Sequence, residues 1–218
     1  MESEHAKPEH FLLKSKAGLL NARYDRGSLR AEAEIPVNFH LHSRDIPAAE
    51  ALRGQTALLR YLKEIPTSYP IASIVNGMNF VLVELATLEE LSHVGKGDAN
   101  FSSALDYLDK DWNLGLFDLY FFTFLLNQDG TTKVRTRMID PIIGEDPATG
   151  SAASALACYL TSKVAGEKLI HTCEIEQGVE MGRRSLINVR VELDETLNVK
   201  RVFLSGQAVK IQEGKILV

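Results

Sequence analysis

Residues 144–160, GEDPATGSAASALACYL, place an acidic, proline-containing turn directly before an uncharged, alanine-rich run. No side chain from Ala152 to Leu160 is charged, and apolar residues would cover all sides of a helix formed by this run. A helix that is apolar all round is buried. Because small alanines let neighbouring strands approach closely, the run predicts a central helix near residues 149–164 with a sheet curled around it.

The turn before this helix has the residue types of an anion pocket. A buried helix start leaves unpaired backbone N–H groups that carry roughly half a positive charge. Gly150 removes the side chain that would keep a ligand off these amides, and the hydroxyl of Thr149 or Ser151 can cap the first turn. The remaining amides can hold a carboxylate or phosphate. Glu145 and Asp146 would bring ionisable groups to the rim of this pocket.

A plain capped helix, with acids and hydroxyls before an apolar run, is the alternative interpretation of this turn. Two acids, a proline and Thr-Gly-Ser together exceed what capping requires. The stretch is not a P-loop, because no lysine follows the second glycine and the Gly144–Gly150 spacing is too long. Ser151 is also not in a GxSxG nucleophile turn. The pattern therefore favours a pocket for a small anion.

Composition excludes some classes of partner. The 218 residues are 45% hydrophobic and 24% charged, which is typical of a globular chain. A net charge of -5 argues against binding to nucleic acid or to an anionic membrane surface. No apolar segment reaches the roughly 20 residues of a membrane span. Two cysteines, Cys158 and Cys173, form no disulfide framework, so we expect a cytoplasmic protein whose partner is a small molecule or another protein.

The first part of the chain reads as a hairpin, a linker and a helix. Residues 11–35 alternate like two strands around a turn at Asp25-Arg26-Gly27. Residues 36–47 have proline near both ends and little periodicity, as a linker would. From Ala48 to about Lys63 apolar residues recur at helical spacing despite Gly54.

The rest of the chain is rich in strands. Residues 71–85 predict a hairpin around Asn76-Gly77, and Thr87 and Glu90 have the spacing of a capping box. The pattern predicts a helix over 100–111, a strand buried on both faces over 116–126, and a return strand after a turn at 128–130. Four more strand candidates follow the central helix: LIHTCEIEQG, SLINVRVEL, VKRVFLSG and QAVKIQEGKILV.

Other polar residues have two interpretations each. Gln177, Gly178 and Arg183 could line a binding cleft, with Arg183 on an anion, or the glycines could only shape a turn. Arg135 and Arg137 alternate on one strand face, for which solvent exposure is the commoner explanation. His40 and His42 could share one side of a strand as a metal pair, but no third ligand is nearby in sequence, so we predict no metal site. Cys158 is interpreted as packing.

Four segments of the chain occur in an order typical of one known family. They are KSKAGLLNARYDRGSLRAEAEIP near the start, RTRMIDPIIGEDPATGSA at 135–152, EQGVEMGR at 176–183 and SGQAVKIQEGKILV at the end. With them the chain resembles the phenazine-biosynthesis-like (PhzF) proteins, which have a diaminopimelate-epimerase-type fold. EDPATGSA is the specific motif, and the other three segments are weaker.

This resemblance implies an α+β fold of two lobes, each a curled, mostly antiparallel sheet around a central helix. It implies a first-lobe remnant plus linker over 1–47, a second lobe over 48–205 and a closing strand over 206–218. It also implies an isomerase that moves a proton on a small carboxylate-bearing substrate without metal or organic cofactor. The site residues carried over are Asp146 and Ser151 as catalytic groups, and Glu145, Thr149, Gly150, Ala152, Gln177, Gly178 and Arg183 as substrate-binding groups.

The chain also departs from the family pattern. The strand, the GNP-type turn and the segment with the catalytic glutamate that open the family's first lobe have no counterpart, so the first lobe is expected to be incomplete. The alternative function is therefore a catalytically silent protein that binds a small anion or acts in assembly. Because an unpaired sheet edge favours association, we also expect a homodimer.

Overall fold

The computed structural model describes residues 9–16, 18–97, 104–126, 131–140, 144–164, 168–208 and 214. In these ranges the strands are β1 (Glu9–Ser15), β2 (Gly18–Asp25), β3 (Arg30–Ile35), β4 (His40–Leu41), β5 (Ile46–Pro47), β6 (Ser68–Tyr69), β7 (Ile71–Val75), β8 (Met78–Glu84), β9 (Leu116–Phe124), β10 (Thr132–Asp140), β11 (Gly144–Asp146), β12 (Ile170–Gln177), β13 (Ser185–Leu193) and β14 (Val199–Gln207). The helices are α1 (Ala48–Ala51), α2 (Leu88–Ser92) and α3 (Gly150–Val164), with 3₁₀ turns at Leu58–Arg60 and Ala104–Tyr107.

The strands form one long sheet and a small two-stranded one. The order in the long sheet is β1-β2-β3-β14-β13-β12-β10-β9-β8-β7-β4, with β11 paired to β10, while β5 pairs with β6. The β8–β9 and β10–β12 pairs are parallel and the others are antiparallel. The architecture is therefore α+β with a mostly antiparallel sheet, as the sequence predicts.

Helix α3 forms the centre of the main hydrophobic core. Its Ala152, Ala155, Leu156 and Cys158 are fully buried. Strands from β7 to β14 surround it with apolar side chains, among them Ile74, Phe80, Tyr120, Val134, Ile175, Val189 and Val202. Burying a large apolar side chain contributes about 1.5–3 kcal/mol, so the curl of the sheet around α3 is the main source of stability.

A second core covers the other face of β8, β9 and β10. Segments from β5 to the 3₁₀ turn at Leu58, together with α2, pack on this face. Strand β9 is consequently buried on both sides, and Leu119, Tyr120, Phe121 and Phe122 are each at most 1% exposed. The sequence-based prediction of a strand buried on both faces is confirmed.

Several local predictions are also confirmed. Thr87 accepts a hydrogen bond from the Glu90 amide at 3.1 Å, and the Glu90 carboxylate accepts from the Thr87 amide, which completes the capping box of α2. The Asn76-Gly77 turn joins β7 to β8, with Gly77 at φ +90°. A side chain on Gly115 would lie 2.1 Å from the Gly77 carbonyl oxygen, so this close backbone contact requires glycine.

Two helix predictions are wrong. The helix expected from Ala48 to Lys63 ends at Ala51, because Gly54 adopts φ +78° and breaks the helical path before the 3₁₀ turn. Of the helix expected over 100–111, the described part forms only the short 3₁₀ turn at Ala104–Tyr107. The turn expected at 128–130 lies outside the described residues.

The first three strands extend the sheet beyond the α3 core. Every residue of β1 is exposed, including Phe11, Leu12 and Leu13. Strand β1 has no neighbour on its outer side among the described residues. The homodimer stays a prediction, with the β1 edge as its candidate interface.

The closing strand expected over 206–218 begins within β14, and its residues 209–213 and 215–218 lie outside the described ranges. In the described ranges no helix combines the length and the apolarity that crossing a membrane requires.

Candidate functional site

A buried ion pair holds the acidic turn in front of α3. The Glu145 carboxylate accepts from Arg137 Nε at 2.8 Å and from Arg137 Nη2 at 2.7 Å. Arg137 Nη1 also donates to the carbonyl oxygens of Leu91 and Val94. Arg137 is 8% exposed, so the interpretation of its strand face as solvated is wrong, because the segment after α2 covers it. Both oxygens of Glu145 are occupied, so the side chain anchors the turn; substrate binding by Glu145 finds no support in these contacts.

A second network joins the turn to β12. Asp146 Oδ2 accepts from the Thr149 hydroxyl at 2.5 Å. Gln177 Nε2 donates to the Asp146 carbonyl oxygen at 2.7 Å and to Thr149 Oγ1 at 2.9 Å. Gln177 Oε1 accepts from the Thr149 amide and from the Tyr120 hydroxyl. Gln177 is fully buried, and its side-chain amide makes four hydrogen bonds within the protein. It therefore positions Asp146 and Thr149 and has no hydrogen-bonding group left for a ligand.

These networks leave the first amides of α3 open. The Thr149 hydroxyl donates its hydrogen bond to Asp146 and accepts none from the first turn of the helix, so it does not cap α3. The first helical hydrogen bond runs from the Ala153 amide to the Thr149 carbonyl oxygen at 3.0 Å. Within the described ranges, the amides of Gly150, Ser151 and Ala152 have no hydrogen-bond acceptor. Such a group of oriented N–H dipoles is suited to an anion.

A cavity of about 810 Å³, here called the helix-start cavity, reaches Gly150 at the start of α3, whereas Asp146, Ser151 and Ala152 are not among the residues that line it. Gly150 and Ala148 line it together with Arg184, Ile187 and Leu204. A side chain on Gly150 would lie 2.7 Å from Leu204 Cδ2, so glycine allows Leu204 to pack against the helix start. Ser151 is half-buried, and its hydroxyl makes no hydrogen bond to any residue that the structure describes.

The two arginines after β12 have different surroundings. The Arg183 side chain is exposed. The backbone amide of Arg183 donates to the Gly178 carbonyl oxygen at 2.9 Å and so closes the β12–β13 turn. The neighbouring Arg184 lines the helix-start cavity and forms an ion pair with Glu176. The geometry therefore brings Arg184 closer to the cavity than the predicted Arg183.

Gly178 supports the turn by close backbone packing. It has φ +75°, and an added side chain would lie 2.6 Å from the Arg183 carbonyl oxygen and 2.7 Å from that of Pro147. The turn-shaping interpretation of this glycine thus has direct structural support, and a contact with substrate does not.

Replacing Gly178 by alanine should lower the free energy of unfolding by about 2–4 kcal/mol, since left-handed strain adds to a backbone clash. Gly182→Ala is the matched control, because Gly182 has φ +69° with no atom within 4 Å of the added carbon. The control should cost about 1 kcal/mol. Urea unfolding curves would measure both, and equal losses in the two variants would contradict the packing role.

A buried carboxyl group, with a second, partly exposed one next to it, lies beside the turn. Asp118 on β9 is 3% exposed and faces α3. Burial, followed by the charge of Asp140 and a hydrogen bond to it, raises the pKa of Asp118 to about 7, and Asp146 adds to the effect. Sequence reasoning missed Asp118, although a lone acid inside a strand buried on both faces is a signal in itself.

The two histidines meet a third group that the sequence spacing did not reveal. The ligand atoms of His40, His42 and Asp109 lie within 4.8 Å of one another. His42 Nδ1 accepts from the Asp109 amide at 3.0 Å and its Nε2 bonds to Ser73 Oγ at 2.9 Å, so both ring nitrogens are occupied. Burial lowers the pKa of His42 to about 4. This arrangement fastens β4 to the 109 segment through hydrogen bonds.

Cys158 has the packing role that its position predicts. The side chain is fully buried in α3, and burial raises the pKa of its thiol to about 12. A thiol of this kind stays protonated and is unsuited to nucleophilic catalysis.

Comparisons with known proteins identify the family and agree with the fold. The profile of the family described as phenazine biosynthesis-like protein matches residues 1–214. The chain is 31% identical over 175 residues to a trans-2,3-dihydro-3-hydroxyanthranilate isomerase of Pseudomonas chlororaphis, a match that covers 79% of this chain and 57% of the relative. A Pseudomonas fluorescens protein of the same name is 30% identical over 175 residues, with the same coverage. The chain thus spans somewhat more than half the length of these relatives.

Several solved structures share the fold of this chain. A Bacillus anthracis phenazine biosynthesis protein of the PhzF family has a TM-score of 0.67 at 17% identity, with 96% of this chain and 69% of that one covered. A predicted epimerase of Pseudomonas aeruginosa has a TM-score of 0.64 at 19% identity, with 97% and 67% covered. A probable proline racemase of Agrobacterium radiobacter has a TM-score of 0.58 at 12% identity, with 97% and 61% covered. The epimerase-type fold is therefore shared, and by the match over residues 1–214 the chain belongs to the phenazine biosynthesis-like (PhzF) protein family.

Proposed function

We propose that this chain is a PhzF-type isomerase that catalyses cofactor-independent proton transfer on a small carboxylate-bearing substrate. The observation that carries the proposal is the set of open amides at Gly150, Ser151 and Ala152, at the start of a buried helix and beside the helix-start cavity. A negative charge at this position is stabilised by the helix dipole and by N–H groups that are already oriented.

Each polar residue of the turn has a distinct part in this proposal. The amides bind the substrate carboxylate, and the free Ser151 hydroxyl donates or accepts a hydrogen bond on the same ligand. Asp146 is the proposed group that exchanges a proton with the substrate: its Oδ2 accepts from the Thr149 hydroxyl at 2.5 Å, and its Oδ1 has only a long contact of 3.4 Å from the Ala148 amide. General acid–base catalysis needs a carboxyl group within about 2.6–3.2 Å of the reacting proton. The support for Asp146 is that it is fixed at the helix start, two residues before Ala148, which lines the helix-start cavity.

The relatives point to the substrate class. The two Pseudomonas proteins are named as isomerases of trans-2,3-dihydro-3-hydroxyanthranilate, a ring compound that bears a carboxylate. A cavity of about 810 Å³ is large enough for a ring of this size. We infer a substrate of similar size with one carboxylate.

The alternative is a protein that binds the same class of carboxylate without turning it over. The observation that favours it is that residues 1–218 contain no counterpart of the family's glutamate-bearing segment. In that case the open amides at the start of α3 would still hold a ligand, and Asp146 would act only in binding.

Binding can be tested with anthranilate, an aromatic carboxylate related to the substrate of the named relatives, by titration calorimetry. Ser151→Ala and Asp146→Asn should each raise the dissociation constant at least tenfold, about 1.4 kcal/mol, while circular dichroism stays unchanged. Ser162→Ala is the control, because exposed Ser162 lies at the other end of α3 and bonds only to the Tyr159 carbonyl oxygen. Affinity that is unchanged in both site variants would contradict the pocket.

Turnover is tested separately by incubating the chain with trans-2,3-dihydro-3-hydroxyanthranilate in D₂O and following the deuterium content of the product by mass spectrometry. Isomerisation with solvent deuterium incorporated supports proton transfer, and its loss in Asp146→Asn supports the acid/base role. Anthranilate binding without turnover would favour the silent alternative.

A further inference from the structure

The outer face of the sheet carries a second cavity, on the side away from α3. It has a volume of about 310 Å³ and lies between the β2–β3 turn and strands β12 to β14; it is called the outer-face cavity below. Asn188, Ser205, Glu32 and Arg23 form one register row across β13, β14, β3 and β2, and all four line it. The cavity wall therefore consists of polar side chains held on paired strands.

Two hydrogen-bond donors in this wall are buried and have no acceptor in the described part of the chain. They are Arg30 Nε and Asn188 Nδ2. Buried polar atoms in folded proteins are almost always paired, so each such atom requires an explanation. Since both atoms belong to residues of one cavity, a shared missing acceptor explains them together.

The charges around the cavity leave one cation uncompensated. Glu32 pairs with Arg23 at 3.0 Å and with Arg190 at 2.9 Å, so these two arginines already have a carboxylate. Asp25, the second acid in the wall, accepts from the Gly27 amide at 2.9 Å and from the Ser28 hydroxyl at 2.6 Å. The Arg30 guanidinium has neither an ion pair nor a hydrogen bond to any residue in the described part of the chain.

We propose that the outer-face cavity binds a small oxyanion, a carboxylate or phosphate group held by the Arg30 guanidinium and the Asn188 amide. The planar edge of a guanidinium matches two oxygens of such a group, and charged hydrogen bonds of this kind are the stronger ones. A volume of about 310 Å³ lies at the lower end of the range for ligand pockets, which favours a small molecule. The ligand would supply the acceptors that both donors lack.

This site is separate from the one proposed for isomerisation. Asn188 lines the outer-face cavity and not the helix-start cavity, whereas Arg30 and Ser205 line both. Asn188 variants therefore report on the outer-face cavity alone, and Asp146 variants report on the start of α3.

The test is a titration of the ¹⁵N-labelled chain with inorganic phosphate in one arm and succinate in the other, followed by amide chemical shifts. We expect saturable shifts at Asn188, Ser205 and Glu32. Saturation by phosphate alone assigns a phosphate-bearing ligand, and saturation by succinate alone assigns a carboxylate.

Asn188→Ala and Arg30→Gln should each weaken this binding at least tenfold. Arg26→Gln is the control, because Arg26 is an exposed arginine of the same turn paired with Glu9 at 2.7 Å, and it should change nothing. Asn188→Ala should leave anthranilate binding unaffected, and Asp146→Asn should leave the oxyanion shifts unaffected. The proposal is overturned if neither anion saturates by about 10 mM, a weak-binding limit, or if Asn188→Ala binds as wild type does.

Discussion

Replacing Glu145 by alanine should lower the free energy of unfolding by about 3–5 kcal/mol, because the change leaves the Arg137 guanidinium buried without its counter-charge. The two side chains are only 15% and 10% exposed, and they are joined by two hydrogen bonds. The loss should also release the turn before α3, so anthranilate binding should weaken together with stability. Urea unfolding followed by circular dichroism measures the first effect and calorimetry the second.

The matched control for this prediction is Glu174→Ala. Glu174 pairs with Lys133 at 4.0 Å, with side chains that are 33% and 29% exposed, so its loss should cost only about 0–1 kcal/mol. The double variant Arg137→Met/Glu145→Leu should recover much of the stability, because it removes both buried charges together. Similar losses for Glu145→Ala and Glu174→Ala would contradict the role of Glu145 as the anchor of the turn.

The stabilising contribution of Asp118 should fall as the pH rises from about 4 to about 7. Buried His42, with its pKa lowered to about 4, acts in the opposite direction below about pH 6.5, so the effect of Asp118 is measured as the difference between wild type and Asp118→Asn. The pKa of Asp118 is raised to about 7 in the folded chain, whereas an unfolded aspartate has a pKa near 3.9. Between these two values the folded state holds a proton that the unfolded state has lost, so raising the pH favours unfolding. The stabilising contribution is fully present below the unfolded pKa and is lost as the pH passes through 7.

A pKa difference of about three units corresponds to roughly 4 kcal/mol between the two ends of this window. Asp118→Asn keeps a neutral group that can donate to Asp140, so the difference in unfolding free energy, wild type minus variant, should fall by most of this amount between pH 4 and pH 8. Asp106→Asn, at an exposed aspartate, should retain the slope of the wild type. If wild type and Asp118→Asn show the same slope over this window, Asp118 is not the group that holds the proton.

Local patterns predicted a large part of the secondary structure. The uncharged run after residue 151 forms α3, the Asn76-Gly77 pair forms the β7–β8 turn, and Thr87 with Glu90 forms the capping box of α2. These features depend on neighbours within a few residues, where backbone preference and side-chain capping dominate. The helix expected from Ala48 to Lys63 failed for a local reason, because Gly54 takes a left-handed conformation that the apolar spacing did not reveal.

The functional site likewise combines features that local sequence predicts with contacts that only the fold reveals. The motif at 144–152 was identified from residue types alone, and the structure places its amides at the open start of a buried helix. The partners of its side chains come from distant segments: Glu145 binds Arg137, and Thr149 and Asp146 meet Gln177. Spacing along the chain could not distinguish a carboxylate that anchors the turn from one that faces a ligand, because the two acids are adjacent and chemically similar.

By itself the sequence determined that a buried helix begins at a polar Thr-Gly-Ser turn, that strands surround it, and that the chain resembles PhzF proteins. Only the tertiary structure decided which polar groups are used internally and which stay open. Arg137 and Asp118 are buried, and both ring nitrogens of His42 are occupied, whereas the amides at residues 150–152 and the Arg30 side chain have no partner among the residues that the structure describes. The physical reason is that hydrogen bonds and pKa shifts depend on distance and burial, which are set by sheet pairing between residues far apart in the chain.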